Sequence, residues 1–200
     1  VNIWDLRHGP AKCVRTLRFT APILKVQFSP SSSRTLLVVL ESREAFLVRF
    51  PSWEDVQSTT MSTEPRRIAL HGTPDTSAAC FTPDGLWILT GSVKGVIRLV
   101  DGQDGRLVHD LPCQIGASMI REIVLDEQSR HVAVNMNDRT VRTLRVTYND
   151  GCEMPTGLTP THKFQDLVSR TPWSGIGFSR GAEYVICLLY TSDAADEEDS

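Results

Sequence analysis

Short apolar runs alternate with turn-forming residues along the whole chain, and the alternation repeats. The clearest unit begins at Ser77. Ala78-Ala79-Cys80-Phe81 is a short strand, and Thr82-Pro83-Asp84-Gly85 is a turn, with proline fixing φ and glycine admitting positive φ. Leu86 to Gly91, Val96 to Asp101 and Arg106 to Leu111 are three further strands, parted by Val93-Lys94-Gly95 and Gly102-Gln103-Asp104-Gly105. Strands such as Trp87-Ile88-Leu89 are apolar on both faces, which predicts a sheet covered from both sides.

The unit recurs. Upstream, Ile23 to Phe28, Thr35 to Leu40 and Ala45 to Phe50 repeat it. Downstream, Met119 to Leu125, Arg130 to Met136 and Thr140 to Val146 do so, and a further copy starts at Trp173 and runs through Val185-Ile186. Phe28, Phe81 and Phe178 fall at one position of their units. Trp4-Asp5 and Val100-Asp101 fall at the end of a third strand, where the WD dipeptide sits in WD repeats. Four short strands over about 40 residues make one propeller blade, whose two apolar faces need neighbouring blades to cover them. The predicted fold is an all-β WD-repeat β-propeller fragment, about three to four blades of a seven-bladed ring. Two polar stretches, Pro51 to Arg67 and Asn149 to Thr161, are expected to be surface loops.

Val1 to Asp5 has the pattern of a mid-strand segment, so the N-terminus is expected to be internal to a longer chain. The propeller is assigned to residues 1–186. Residues 187–200, from Cys187-Leu188-Leu189-Tyr190-Thr191-Ser192-Asp193, have the character of a translated sequencing adapter and are set aside as a disordered, artefactual tail, the alternative being a genuine acidic tail following a strand. That tail changes the charge picture. The chain carries a net charge of -3, but five of its 24 acids lie there, and without them 21 basic residues face 19 acidic ones. No apolar run approaches the roughly 18 residues of a membrane span, so no membrane contact is expected. The five cysteines are scattered with no C-x-x-C, which fits reduced structural thiols better than a metal site.

No catalytic set stands out. His8, His71, His109, His131 and His162 are separate, and H-E-x-x-H is absent. His109 and His131, in or beside strands, are expected to be structural. Gly91-Ser92-Val93-Lys94-Gly95 lacks phosphate-loop spacing and lies between two strands, so it is a blade turn. Asp84, Asp101, Asp104 and Asp126 lie in turns, where aspartate caps its own backbone. No catalytic residue, cofactor site or metal site is assigned.

Two segments exceed generic repeat character: Phe19-Thr20-Ala21-Pro22-Ile23-Leu24-Lys25-Val26-Gln27-Phe28 and Phe164-Gln165-Asp166-Leu167-Val168-Ser169-Arg170-Thr171-Pro172-Trp173. With Asn137-Asp138-Arg139 and Thr90-Gly91-Ser92-Val93-Lys94-Gly95, they resemble the retinoblastoma-binding protein five family, the propeller subunits of COMPASS histone methyltransferase complexes. The resemblance spans most of residues 1–186, though Pro51 to Arg67 matches poorly. It implies a non-catalytic nuclear scaffold beside a SET-domain methyltransferase and the other COMPASS core subunits, in an assembly that methylates lysine four of histone H3. It also implies propeller arginines on nucleosomal DNA, at the matching positions Arg139 and Arg170. Guanidinium suits phosphate, pairing bidentately and staying charged. On the residues alone, solvating their loops or pairing with Asp138 and Asp166 is the simpler role for both arginines, and it is the resemblance that brings in the DNA role. A WD-repeat adaptor of an unrelated nuclear complex and a propeller enzyme are the alternative functions.

Overall fold

The computed structural model describes residues 1–6, 12–50, 66–70, 75–113, 115–149, 154–167, 171 and 173–189. These contain no α-helix, and one short 3-10 turn at Arg180–Ala182. Three four-stranded antiparallel sheets follow in chain order. The first is β3 (Ile23–Ser29), β4 (Ser32–Leu40), β5 (Ala45–Arg49) and β6 (Arg66–Ala69). The second is β7 (Thr76–Phe81), β8 (Trp87–Ser92), β9 (Ile97–Asp101) and β10 (Leu107–Leu111). The third is β11 (Ile120–Leu125), β12 (His131–Met136), β13 (Thr140–Tyr148) and β14 (Pro155–Gln165). Two-stranded sheets flank them: β1 (Asn2–Asp5) with β2 (Lys12–Thr16), and β15 (Gly175–Phe178) with β16 (Val185–Leu188).

Period-two alternation explains how the sheets stack. In β4, Leu36, Val38 and Leu40 join Ile3 and Leu17 in one core, while Leu37 and Val39 turn the other way and meet Ala79, Phe81, Ile88 and Val100. The second sheet does the same: Ala78, Cys80, Leu89, Ile97 and Leu99 turn toward Ile120, Ile123, Val132, Val134 and Met136. Each core therefore lies between sheets, with no core inside any one of them. Inner strands of successive sheets pack most closely, β7 against β11 and β4 against β7, while the outer strands β10 and β14 barely meet. That is the geometry of blades set around an axis.

Turn chemistry repeats with the blades. The β7–β8 and β11–β12 turns carry left-handed residues at Gly85 (φ 72°) and Ser129 (φ 57°). The second-to-third-strand turns carry them at Arg43 (φ 68°), Gly95 (φ 79°) and Arg139 (φ 62°), each N–H donating three residues back, to Leu40, Ser92 and Met136. At Gly95 a side chain is excluded twice, by its φ and by the Gly116 carbonyl oxygen, which crowds the place a Cβ would take.

Two expectations need correction. Asn149 to Thr161 is not a loop throughout, because β14 occupies Pro155–Gln165 and pairs with β13 from Tyr148↔Pro155 to Thr140↔Gln165. As the outermost strand of its sheet, β14 tolerates Pro155 and Pro160, which lack an N–H to donate. Likewise Arg66 and Arg67, at the end of the other expected loop, belong to β6. Residues 51–65 of that loop lie outside the described residues, as do residues 190–200 of the supposed tail. Cys187 and Leu188, placed in that tail, pair with Ile176 and Gly175 in the last sheet.

Candidate nucleic-acid interface

Arg139 sits in the tight turn joining β12 to β13. The Asn137 N–H donates to the Met119 carbonyl at 2.8 Å, which fixes the turn to the start of β11. Asp138 accepts from the Thr140 N–H at 3.2 Å and from its hydroxyl, and forms an ion pair with Arg142 at 3.0 Å. Partial burial of Asp138 pushes its carboxyl upward, but hydrogen bonds from Thr140 and Arg142 outweigh that and hold it below the usual carboxylate range. At neutral pH Asp138 is thus ionised and committed to Arg142. Arg139 is exposed, with no ion-pair partner among the described residues.

Arg170 lies outside the described residues. Its segment nevertheless returns to the same turn: the indole N–H of Trp173 donates to the Arg139 carbonyl at 3.2 Å. Asn135 donates to the Trp173 carbonyl at 2.9 Å, completing the tie to β12. The structure thus brings a residue of the R-T-P-W segment onto the Asn137-Asp138-Arg139 turn, over 34 residues of sequence.

Sequence reasoning missed Arg43. It is exposed and occupies the same left-handed position in the β4–β5 turn as Arg139 does in its own. Aligning Glu41-Ser42-Arg43 with Val93-Lys94-Gly95 and Asn137-Asp138-Arg139 as equivalent turns reveals it.

The remaining candidates behave as structural groups. Asp84 accepts from Leu86 N–H at 2.9 Å, Asp101 from Gln103 at 2.6 Å, Asp104 from Arg106 at 2.9 Å and Asp126 from His131 at 2.6 Å. Ser92 accepts from the N–H groups of Lys94 and Val96 at 3.2 and 3.0 Å, as a blade turn requires. Burial pushes the Cys80 thiol up to about 12, so it carries no thiolate at neutral pH. Among the described residues no cluster of His, Cys, Asp or Glu is placed to hold a metal ion, and no helix is long and apolar enough to cross a membrane. His8, His71 and Cys152 lie outside the described residues.

Stacked four-stranded sheets, repeated left-handed turns and cores lying between blades define the chain as part of a WD-repeat β-propeller. The structure is similar to the β-propeller domain of Cps50 (Swd1) from Myceliophteria thermophila, with TM-score 0.74 and 27% identity over 92% of this chain and 58% of that one. The sequence is 25% identical to COMPASS component SWD1 of Saccharomyces cerevisiae, covering 97% of this chain and 46% of that protein. It is 30% identical to the retinoblastoma-binding protein 5 homolog of Drosophila melanogaster, covering 92% and 36%. The chain is a homologue of the Swd1 and retinoblastoma-binding protein 5 propellers. It spans less than half the length of these two curated relatives. No family model matches the chain.

Proposed function

We propose that this chain is part of a non-catalytic scaffold subunit of a COMPASS/Set1-type histone H3 lysine-four methyltransferase complex in the nucleus. Its partners are the SET-domain methyltransferase, other COMPASS core subunits and the nucleosome. On the nucleosome, Arg139 and Arg170 engage DNA phosphates, which positions the propeller without reading base sequence. The names of the relatives support the complex. The observation that carries the DNA interaction is the turn at Arg139: Asp138 is spent on Arg142, so the neighbouring guanidinium is exposed and has no ion-pair partner among the described residues. This favours phosphate binding over the alternative in which Arg139 merely pairs with Asp138.

The test is nucleosome binding by the full chain across a salt series, comparing wild type with the Arg139→Ala, Arg170→Ala double variant. Removing one arginine–phosphate pair flattens the slope of log affinity against log salt by about one, so the double variant should be shallower by about two. Equal slopes and affinities would remove both arginines from the interface. Weaker affinity with an unchanged slope would point to an interaction other than phosphate pairing.

A further inference from the structure

The first and third blades tie the same turn to the segment entering the next sheet, by different means. At the first blade the Thr76 N–H donates to the Arg43 carbonyl at 3.0 Å. That bond runs main chain to main chain, so any residue except proline at position 76 can make it. At the third blade the left-handed residue is Arg139, and a side chain reaches its carbonyl instead, the Trp173 indole N–H at 3.2 Å. Here the tie depends on the type of residue.

Both peptide planes beside Arg139 are held. On one side its own N–H donates to the Met136 carbonyl at 3.2 Å. On the other, the Thr140 N–H donates to Asp138 and the Arg139 carbonyl accepts from Trp173. Together the planes fix the direction of the Cα–Cβ bond, and so the point from which the guanidinium extends. Such holding is needed, because φ at Arg139 is 62°, unfavourable for a residue with a Cβ.

Trp173 reaches the turn from a fixed base. Its carbonyl accepts from Asn135 at 2.9 Å, and Asn135 is 2% exposed in β12. The next residue, Ser174, donates through its N–H and its hydroxyl to the Leu188 carbonyl, at 2.7 and 3.0 Å. The Trp173 ring belongs to none of the three apolar cores among the described residues. Core filling therefore does not account for a tryptophan here, whereas the hydrogen bond to the turn does.

We propose that Trp173 is a positioning residue for Arg139: its indole N–H holds the turn in the conformation from which the guanidinium meets a DNA phosphate. The inference rests on the DNA reading above and adds to it the residue that prepares the site. A guanidinium on a fixed turn loses less freedom on binding, and affinity scales with the fraction of molecules whose turn is in place.

The experiment measures nucleosome affinity of the full chain for wild type, Trp173→Phe, Arg139→Ala and the double variant, with a thermal melt of each. Trp173→Phe keeps an aromatic ring and removes the N–H. It should bind about fivefold more weakly than wild type, the effect of one lost hydrogen bond. In the Arg139→Ala background the same change should leave affinity unaltered, while any fall in melting temperature appears in both backgrounds. Equal weakening in both backgrounds makes Trp173 a structural residue only and overturns the inference. So does unchanged affinity of Trp173→Phe beside a weakened Arg139→Ala, a result that leaves the DNA reading standing. Wild-type affinity in Arg139→Ala removes the DNA reading, and this inference with it. If Trp173→Phe fails to fold, the wild-type indole decides. Coupling is reciprocal, so saturation with a short DNA duplex should slow solvent exchange of the Trp173 indole proton, followed by NMR, in wild type and not in Arg139→Ala. An exchange rate that DNA does not move overturns the inference too.

Discussion

The second blade and the terminal β15–β16 pair are built from similar apolar strands, yet their side chains end in different environments. In β8, Ile88, Leu89, Thr90, Gly91 and Ser92 are all buried. In β16, Ile186 is 66% and Leu188 57% exposed. The local sequence does not account for this. Ile88 is buried by the first blade and Leu89 by the third, whereas one face of β16 meets no blade among the described residues. Stability in this chain is therefore a property of the packing between blades, in the manner of stacked repeats.

The largest effect expected from that comparison is on core truncation. Leu99→Ala, in the core between the second and third blades, should cost about 2–5 kcal/mol in urea unfolding. Leu188→Ala, on the exposed strand, should stay within about 0.5 kcal/mol. Equal costs would break the comparison. Glycines sharpen it next. Gly95→Ala places a Cβ against the Gly116 carbonyl at a positive φ and should cost about 2 kcal/mol or more. Gly177→Ala, in β15 with nothing within 4 Å of the added carbon, should cost no more than about 0.5 kcal/mol. A smaller contrast concerns two serines. The buried Ser77 hydroxyl donates to the Ile120 carbonyl at 2.6 Å and so ties two blades together, and Ser77→Ala should cost about 1 kcal/mol. The exposed Ser174 hydroxyl donates to the Leu188 carbonyl at 3.0 Å, and Ser174→Ala should change the unfolding midpoint hardly at all.

Much of the blade order was legible in the sequence because the signals are local. Pro83, Gly85, Gly95 and Gly105 punctuate the second unit, and its four strands form close to where the pattern places them. Outer strands were legible only in part. Strand β14 is rich in Thr, Pro and Gly, and it is a strand because β13 offers it a long pairing edge, which no window of composition reports. The candidate interface divides in the same way. Arg139 stood out within a recognisable turn, but its freedom from Asp138 depends on Arg142 reaching back four residues across that turn. Arg43 carries no motif and emerges only from the equivalence of turns.

The smallest expected effect is the pH dependence of the Asp138 turn. In the folded chain its carboxyl is held below the usual carboxylate value, since the Thr140 and Arg142 hydrogen bonds outweigh the opposing effect of burial. A depressed folded value means the ionised form is favoured by folding, so the contribution is complete above the unfolded value of about 4. It is lost as pH falls through the folded value, where both states carry the proton. The pair is partly exposed, at 13% and 35% for the two side chains, so solvent screening keeps the contribution under about 1 kcal/mol. Asp138→Asn removes the charge while keeping most of the shape. The stability gap between wild type and this variant, measured by urea unfolding, should be present at pH 6 and shrink as pH falls below about 4. A gap that stays constant across that range would mean the carboxylate contributes shape alone, and the account of why Arg139 is left unpaired would lose its electrostatic basis.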